Sequence, residues 1–219
     1  MTGADGAGRF PDPREAPGEE PLAYGGDLEP DTLLDAYTHG IFPWPDEGGR
    51  LWWWSPDPRA ILPLDGFHVS RSLRRTLRSG RFRCTEDAAF TQVVRSCAER
   101  PEGTWIVPAL ARAFQRMHEL GHAHSVEVWD ADGRLVGGLY GLAIGGAFMA
   151  ESMFHRADDA SKVALWHLTE RLRTRGFALL DVQMPTDHLG SLGAITVSRE
   201  AYLGLLDGAL RASPISDIM

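Results

Sequence analysis

The stretch from Gly137 to Gln183 constrains the fold of this chain more than any other part of the sequence. It opens with an extended apolar run that the pair Gly145-Gly146 interrupts, and a glycine pair in that setting is typical of a tight hairpin turn. Apolar residues at the spacing of an amphipathic helix follow, and Gly176 is placed to end that helix. A short apolar strand through Asp181 completes the stretch.

Polar side chains occur inside these apolar strands. Because side chains alternate along a strand, two groups are each predicted to share one face: Phe177, Leu179, Asp181 and Gln183 in the later strand, and Met149, Glu151 and Met153 in the earlier one. A buried carboxylate costs free energy unless it has partners. The two carboxylates in this setting therefore require an explanation, either structural or functional.

The chain has 219 residues, 43% of them hydrophobic, enough for one sizeable core or for a core with a small added domain. Its N-terminus lacks a secretion signal, and no apolar run approaches the roughly 18 residues that a membrane-spanning helix needs. Cys84 and Cys97 form no metal or redox motif, so reduced thiols are expected. These features predict a soluble, cytoplasmic protein with no membrane partner, and we expect a monomer.

The net charge of −8 argues against general affinity for nucleic acid, but the arginines are unevenly distributed. Six arginines and no acidic residue lie between Gly66 and Cys84. Ser70 is placed to cap a helix that ends near Ser79, whose outer face would carry Arg71, Arg74, Arg75 and Arg78. This cluster either steers a polyanion to one place or is simply a solvated helix face.

The sequence divides into three parts. Residues 1–20 are rich in Gly, Pro and charge and are predicted to be disordered. Residues 21–65 form a small irregular module with a helix at Asp31–His39 and one strand at Leu51–Trp54. Residues 66–219 form an α/β (α+β) core. Its predicted elements are helices that begin near Ser70, Phe90 and Pro108, a strand at Arg81–Thr85, the order β-β-β-α-β from Ser125, and a short helix near Arg199–Leu210.

Residues His118 to His122 match the H-E-x-x-H signature of zinc proteases. That chemistry requires both histidines on one face of a continuous helix, with the glutamate beside a metal-bound water. Gly121 stands where the helix should end, so His122 is expected to leave the helical face. Histidines that complement the dipole of a helix C-terminus are the alternative that we prefer, and no metal site is predicted.

Several segments together resemble one family, the leucyl/phenylalanyl-tRNA–protein transferases. The matching segments lie in order along the chain from residue 25 to residue 194: GGDL at 25–28, GIFPW at 40–44, LWWWSPDPRA at 51–60, HVSRSLRR at 68–75, EGTW at 102–105, HELGHAHSVEVW at 118–129, GGLYG at 137–141, ESMF at 151–154, ASK at 160–162, LDVQ at 180–183 and HLGSLGA at 188–194. So many segments in one order make the resemblance highly specific.

The resemblance implies an aminoacyltransferase of the bacterial N-end rule. Such an enzyme takes leucine or phenylalanine, and in some cases methionine, from its charged tRNA and joins it to a protein that begins with Arg or Lys, marking that protein for degradation. It also implies a core like that of the acetyltransferases (GNAT-like), which agrees with the predicted β-β-β-α-β order. No cofactor is implied.

The resemblance also assigns roles to residues. It places the catalytic carboxylate at Asp181, its partner amide at Gln183 and a second carboxylate at Glu151. The remaining assignments are a pocket for the aminoacyl side chain at Leu139, Phe148, Met149, Ala150 and Met153, tryptophans that stack on the terminal adenosine of tRNA at Trp44 and Trp105, and contacts to the acceptor stem at Arg71, Arg74, Arg75 and Arg78. Ala150 and Leu139 stand where the family pattern has glycine and methionine, which alters the shape of the pocket slightly.

Three other functions fit parts of the sequence. An aminoacyl-tRNA-dependent transferase with another acceptor, such as a cell-wall precursor, would usually carry two related acyltransferase-like domains, and only one is evident here. A non-catalytic module that binds the tRNA 3′ end predicts that Asp181 and Gln183 are dispensable. A zinc protease predicts bound metal and cleavage that a chelator inhibits.

Overall fold

The N-terminal part of the protein is built around a three-stranded antiparallel sheet. The structure is a computed structural model that describes residues 9–18, 20–46, 48–99 and 104–212. The small sheet has the order β1-β3-β2, and helix α1 lies between β1 and β2 in the chain. Their bounds are β1 Ala23–Tyr24, α1 Pro30–Thr38, β2 Phe42–Pro43 and β3 Trp52–Trp54.

The second sheet has seven strands. They are β4 (Arg59–Ile61), β5 (Arg83–Glu86), β6 (Ala123–Trp129), β7 (Leu135–Ile144), β8 (Ala147–His155), β9 (Leu179–Gln183) and β10 (Ile195–Val197). Their order across the sheet is β10-β4-β9-β8-β7-β6-β5. Neighbouring strands run antiparallel except β8 and β9, which are parallel. The connection between these two therefore has to cross over the sheet, and a helix makes it.

Helices cover both faces of the seven-stranded sheet. The remaining helices are α2 (Arg71–Arg78), α3 (Phe90–Ala98), α4 (Pro108–Glu119), α5 (Ala160–Arg175), α6 (Asp187–Ser191) and α7 (Arg199–Arg211). Buried residues of α2 and α5 pack in one hydrophobic cluster, and those of α1, α3, α4 and α7 pack in another. Successive strand residues contribute to alternate clusters, as Leu139 and Tyr140 do, because successive side chains point to opposite faces.

The sequence predicted most of these elements correctly. The order β-β-β-α-β is present as β6-β7-β8-α5-β9, and the mixed α/β class is confirmed. Ser70 caps α2 by accepting a 3.2 Å hydrogen bond from the Leu73 N–H. Gly145 forms the hairpin turn with a φ of 56°, and a Cβ there would lie 2.6 Å from the Leu210 carbonyl oxygen. Only glycine fits that turn without strain.

The predicted boundary near residue 65 has to move toward the N-terminus. Strand β4, at residues 59–61, pairs with β9 and β10 in the large sheet, so it is not part of the small module. The small sheet also has no core of its own. Its Phe42 and Trp53 are buried in the same cluster as Tyr140 and Met149 of the large sheet. The two parts therefore fold around one shared core.

The predicted disordered tail is wrong for residues 9–18. A 3₁₀ turn at Pro13–Glu15 follows Asp12, and the Ala16 carbonyl accepts a 2.7 Å hydrogen bond from the buried Arg199 guanidinium of α7. Residues 1–8 and 19 lie outside the described residues. Within residues 9–18, 20–46, 48–99 and 104–212, no helix has the length and apolar character needed to cross a membrane.

Candidate active site

The parallel strands β8 and β9 separate partway along their length. Their register pairs Ala147 with Leu179 and ends with Met149 opposite Asp181, although β8 continues to His155 and β9 to Gln183. The gap beyond this last pair is open to side chains from both strands. Sites at the carboxyl ends of parallel strands are common in α/β proteins for this reason.

A β-bulge aims Glu151 into that gap. In the pairing of β7 with β8, Tyr140 lies opposite Ser152 and Gly141 lies opposite Ala150, so Glu151 has no partner in the register. An extra residue of this kind bends the strand and re-aims its side chain. The bulge also corrects one prediction: Met149 and Met153 belong to clusters on opposite faces of the sheet, so Met149, Glu151 and Met153 do not share a face.

The gap forms part of a cavity of about 590 Å³. Its walls include parts of β8 and β9, the end of α3, the segment around α6, and the two tryptophans expected to bind adenosine. Trp44 and Trp105 stack on each other with ring centroids 4.9 Å apart and an angle of 22° between the planes. Glu151 and Gln183 line the same cavity, whereas Asp181 does not.

Glu151 is a buried carboxylate with one free oxygen. Its Oε1 accepts hydrogen bonds of 2.8 Å from the Tyr37 hydroxyl and 2.8 Å from the Gln183 side-chain amide. Its Oε2 is buried and has no hydrogen-bond partner within the described residues. Burial raises the pKa of Glu151 to about 8, and the hydrogen bonds from Tyr37 and Gln183 oppose that rise. The group therefore titrates in the range in which proton transfer to or from an amine is efficient.

Asp181 is fully buried and fully bonded. The Arg59 guanidinium donates to both of its oxygens, at 2.9 Å to Oδ1 and 2.6 Å to Oδ2. The Tyr202 hydroxyl donates to Oδ2 at 2.8 Å, and the Gln183 backbone N–H donates to Oδ1 at 2.8 Å. An ionised carboxylate offers about four lone-pair sites, and these four donors occupy them.

The chain matches the family described as leucyl/phenylalanyl-tRNA protein transferase over residues 61–207, and the N-terminal domain of that family over residues 26–57. It belongs to this family. A leucyl/phenylalanyl-tRNA–protein transferase from Stutzerimonas stutzeri (strain A1501) is 57% identical over 184 residues, which cover 83% of this chain and 81% of that protein. One from Maridesulfovibrio salexigens is 51% identical over 205 residues, which cover 92% of this chain and 85% of that protein.

Solved structures give more distant similarities. A GCN5-related N-acetyltransferase from Kribbella flavida has a TM-score of 0.42 and 14% identity, and the match covers 77% of this chain and 61% of that one. The structure of L-PGS from Bacillus licheniformis has a TM-score of 0.44 and 13% identity, and the match covers 74% of this chain and 52% of that one.

The residues expected to hold the aminoacyl side chain are not all at the cavity of this transferase family member. Met153 lines the cavity and lies opposite Leu139 in the strand register. Leu139, Phe148 and Met149 are buried in the hydrophobic core, and Ala150 is half-buried. The structure thus brings Glu151, Gln183, Met153 and the two tryptophans together, whereas the other pocket candidates do not line the cavity.

The four arginines assigned to tRNA lie on α2, and all are exposed. Leu73 anchors the helix in the core, which leaves the arginine face to solvent around a shallow groove. Thr76 of the same helix donates a 2.9 Å hydrogen bond to Asp159, whose other oxygen accepts one of 2.9 Å from Lys162 at the start of α5. The arginine helix is therefore tied to the helix that connects β8 and β9.

The H-E-x-x-H segment does not form a metal site. Helix α4 ends at Glu119, and Gly121 has a φ of 80°, so His122 is off the helix as predicted. His118 instead donates through Nδ1 to the Ala123 carbonyl at 2.7 Å and stacks on the Phe90 ring. Among the residues that the structure describes, no group of three or more His, Cys, Asp or Glu side chains is arranged to hold a metal ion.

Three residues of the site were not predicted from the sequence. Tyr37 and Tyr202 lie in helices that were predicted without a functional role. Arg59 is part of the segment LWWWSPDPRA, one of the segments that carried the family resemblance. Its place in that segment was the signal that could have identified Arg59 as a site residue. The other two come from positions more than 20 residues away from the carboxylates they bind.

Proposed function

We propose that this chain transfers leucine or phenylalanine, and also methionine, from aminoacyl-tRNA to the N-terminal amine of proteins that begin with Arg or Lys. We also propose that it acts as a cytoplasmic monomer. The product is a protein with a new apolar N-terminal residue. The observation that carries the proposal is one cavity that holds a carboxylate, an amide and a stacked tryptophan pair.

The donor is an activated ester and the product is an amide, so the reaction needs neither ATP nor a cofactor as a source of free energy. The nucleophile is an α-amine with an ordinary pKa of roughly 7.7–8.0, so an appreciable fraction is neutral near pH 7. The larger task is to hold the amine against the ester carbonyl, and orientation of this kind contributes on the order of 7–11 kcal/mol.

The cavity offers a surface for each part of the donor. The rings of Trp44 and Trp105 suit the terminal adenosine, because base stacking on an aromatic side chain contributes about 1–3 kcal/mol. Met153 and the other apolar residues that line the cavity suit the aminoacyl side chain, and a flexible thioether tolerates leucine, methionine and phenylalanine. The exposed arginines of α2 suit the phosphates of the acceptor stem, whatever its sequence.

Among the residues that the structure describes, one carboxylate besides the buried Glu151 lines the cavity. Glu99 lines the cavity and forms an exposed ion pair of 2.8 Å with Arg156. An exposed ion pair is weak, so an incoming guanidinium or ammonium group can compete for Glu99. We assign Glu99 to the recognition of N-terminal Arg or Lys.

The test uses purified protein, tRNA charged with labelled leucine or phenylalanine, and a peptide that begins with Arg. Parallel reactions contain a Gly-initiated peptide, an Arg peptide with an acetylated α-amine, and excess chelator. We expect label only in the free Arg peptide, with the chelator having no effect. Tight retention of charged tRNA without transfer would instead indicate a binding module or a different acceptor, and loss of transfer with chelator would indicate metal chemistry.

A further inference from the structure

A second group of basic side chains connects the arginine helix α2 with the cavity. It consists of His155 at the end of β8, Lys162 in the first turn of α5 and His188 in α6. On the basis of the proposed transfer reaction, we propose that this bridging cluster binds backbone phosphates of the unpaired 3′ end of the donor tRNA. In this scheme the arginines of α2 contact the paired part of the acceptor stem, and the stacked tryptophans contact the terminal adenosine.

A chain of contacts joins the bridging cluster to both of these surfaces. Thr76 of α2 donates a 2.9 Å hydrogen bond to Asp159, and the Lys162 ammonium donates one of 2.9 Å to the other oxygen of that carboxylate. The charge of Lys162 acts in turn on the imidazole of His188. His188 and His155 line the same cavity as the stacked tryptophans. The cluster therefore connects the two surfaces that are proposed to bind tRNA.

The electrostatic setting of His188 suits an anion. The two charged groups that act on its imidazole, Lys162 and His155, are both positive. Asp159 binds Lys162, but the charge of Arg81 acts on the same carboxylate, so its negative charge is shared between two cations. Positive groups held close together repel one another, and a bound phosphate relieves that repulsion. Both histidines are exposed, so an RNA backbone can reach them.

Lys162 is the only lysine in the sequence, and all other members of its set of 22 lysines and arginines are arginines. An ammonium is a compact point charge with three donors that can rotate, whereas a guanidinium is a planar fork. One donor of Lys162 is used by Asp159, and the side chain is 33% exposed. The remaining donors can bind a phosphate while the link through Asp159 to α2 stays intact.

RNA binding should be coupled to the protonation of His188. Partial burial of the ring, followed by the charges of Lys162 and His155, lowers the pKa of His188 below its ordinary value of 6.5. The imidazole is therefore mostly neutral near pH 7, and a bound phosphate favours its charged form. The affinity should thus increase as the pH falls from about 7.5 to about 6. The other charged groups near the cluster stay in place in the variants below: Asp159, Asp187, Glu99 and Arg156.

The experiment measures the binding of two RNAs at constant salt. One is an acceptor-stem duplex with its unpaired 3′ end, and the other is the same duplex without the unpaired nucleotides. Lys162→Gln, His155→Gln and His188→Gln should each weaken binding of the first RNA by about 10-fold, the effect of a lost hydrogen bond to a charged group, and leave binding of the second unchanged. Arg75→Ala on α2 should weaken binding of both. His39→Gln, an exposed histidine after α1, is the matched control and should change neither.

The single lysine allows a second measurement on the wild-type protein. An amine-specific acetylating reagent modifies Lys162, and mass spectrometry of the peptide that contains it gives the rate. RNA with the unpaired 3′ end should slow this acetylation, and the truncated duplex should not. Neutral methylphosphonates in place of the phosphates of the unpaired end should abolish the protection, because they remove the charge that Lys162 binds.

The outcomes separate a phosphate contact from a purely structural role. Equal weakening of both RNAs in Lys162→Gln would show that the lysine only holds α2 in place, and would overturn the contact. Unchanged binding of the first RNA in all three variants would overturn the cluster. Wild-type pH dependence in His188→Gln would overturn the role of His188. Wild-type protein that binds the first RNA through the cluster but transfers no amino acid would overturn the proposed function instead.

Discussion

The Gln183 backbone N–H donates a 2.8 Å hydrogen bond to Oδ1 of Asp181, two residues earlier in the same strand. This bond holds Gln183 in a left-handed backbone conformation, and its side chain reaches Glu151 on the neighbouring strand. Asp181 thus acts on the cavity through Gln183. Because Asp181 is buried and does not line the cavity, we propose that its role is to hold Gln183 in place.

The buried pair of Asp181 and Arg59 should be essential for stability. Asp181→Asn leaves the Arg59 guanidinium buried with no opposing charge, and loss of one partner of a buried ion pair typically costs about 3–5 kcal/mol. We expect that loss in the free energy of unfolding, measured with urea. The matched control is Asp207→Asn, which breaks an exposed pair with Arg211 and should change stability by less than about 1 kcal/mol. Equal losses of stability in the two variants would contradict the essential role of the buried pair.

The stability of the protein should depend on pH through Glu151. Its pKa is about 8 in the folded protein and near 4.5 in the unfolded chain, so the folded state binds more protons between these values. Stability therefore falls as pH rises from about 5 to 8, by at most about 1.4 kcal/mol per pH unit. Glu151→Gln has no carboxyl group to titrate at this position. Relative to wild type, its free energy of unfolding should therefore rise over that pH range. A difference that does not vary with pH would show that Glu151 is ionised throughout.

Acceptor recognition should depend on Glu99. Glu99→Gln removes the carboxylate, and a hydrogen bond to a charged group contributes about 1.5–3 kcal/mol, so KM for the Arg peptide should rise by about 10- to 100-fold. KM for charged tRNA should not change. Glu170→Gln, which also breaks a surface pair with an arginine, is the control. If Glu99→Gln raises neither KM, the basic side chain binds elsewhere.

Donor binding should weaken with salt in proportion to the phosphate contacts. Arg74→Ala and Arg75→Ala should each reduce the slope of log K against log salt by about 0.7–0.9, the value for one phosphate contact. Arg173→Ala, at an exposed position of α5 where the arginine pairs with Glu170, should leave the slope unchanged. An equal slope in all four proteins would place α2 away from the tRNA.

The stacked tryptophans should contribute to binding through their rings. Trp44→Ala should weaken the binding of charged tRNA by about 5- to 150-fold, which corresponds to 1–3 kcal/mol of stacking on one base. Trp44→Phe keeps an aromatic face, so most of the affinity should remain. The comparison uses binding of charged tRNA at constant salt. If alanine and phenylalanine have the same effect, Trp44 serves to fill the cavity wall and does not stack on the base.

Local rules predicted the elements of this protein well. Helix α2 begins after Ser70 and α5 ends at Gly176, because a capping hydroxyl and a glycine in the left-handed conformation act within one turn of the helix. The order of strands and helix from residue 123 to residue 183 follows from apolar periodicity. The short strands β1, β2, β4 and β10 were missed, since two or three residues carry no periodicity and their pairing depends on distant partners.

The sequence by itself determined the longer helices and the main strands, the family, and the residues Glu151 and Gln183 that meet in the cavity. The tertiary structure decided which of these two side chains keeps an oxygen that accepts no hydrogen bond from the described residues. Alternation along a strand cannot foresee the bulge at Glu151, because a bulge depends on how β8 pairs with β7. A single sequence also does not show that Arg59 and Tyr202 donate hydrogen bonds to Asp181, or that Tyr37 donates to Oε1 of Glu151 and not to Oε2. Hydrogen bonds between distant positions exist only after the chain has packed.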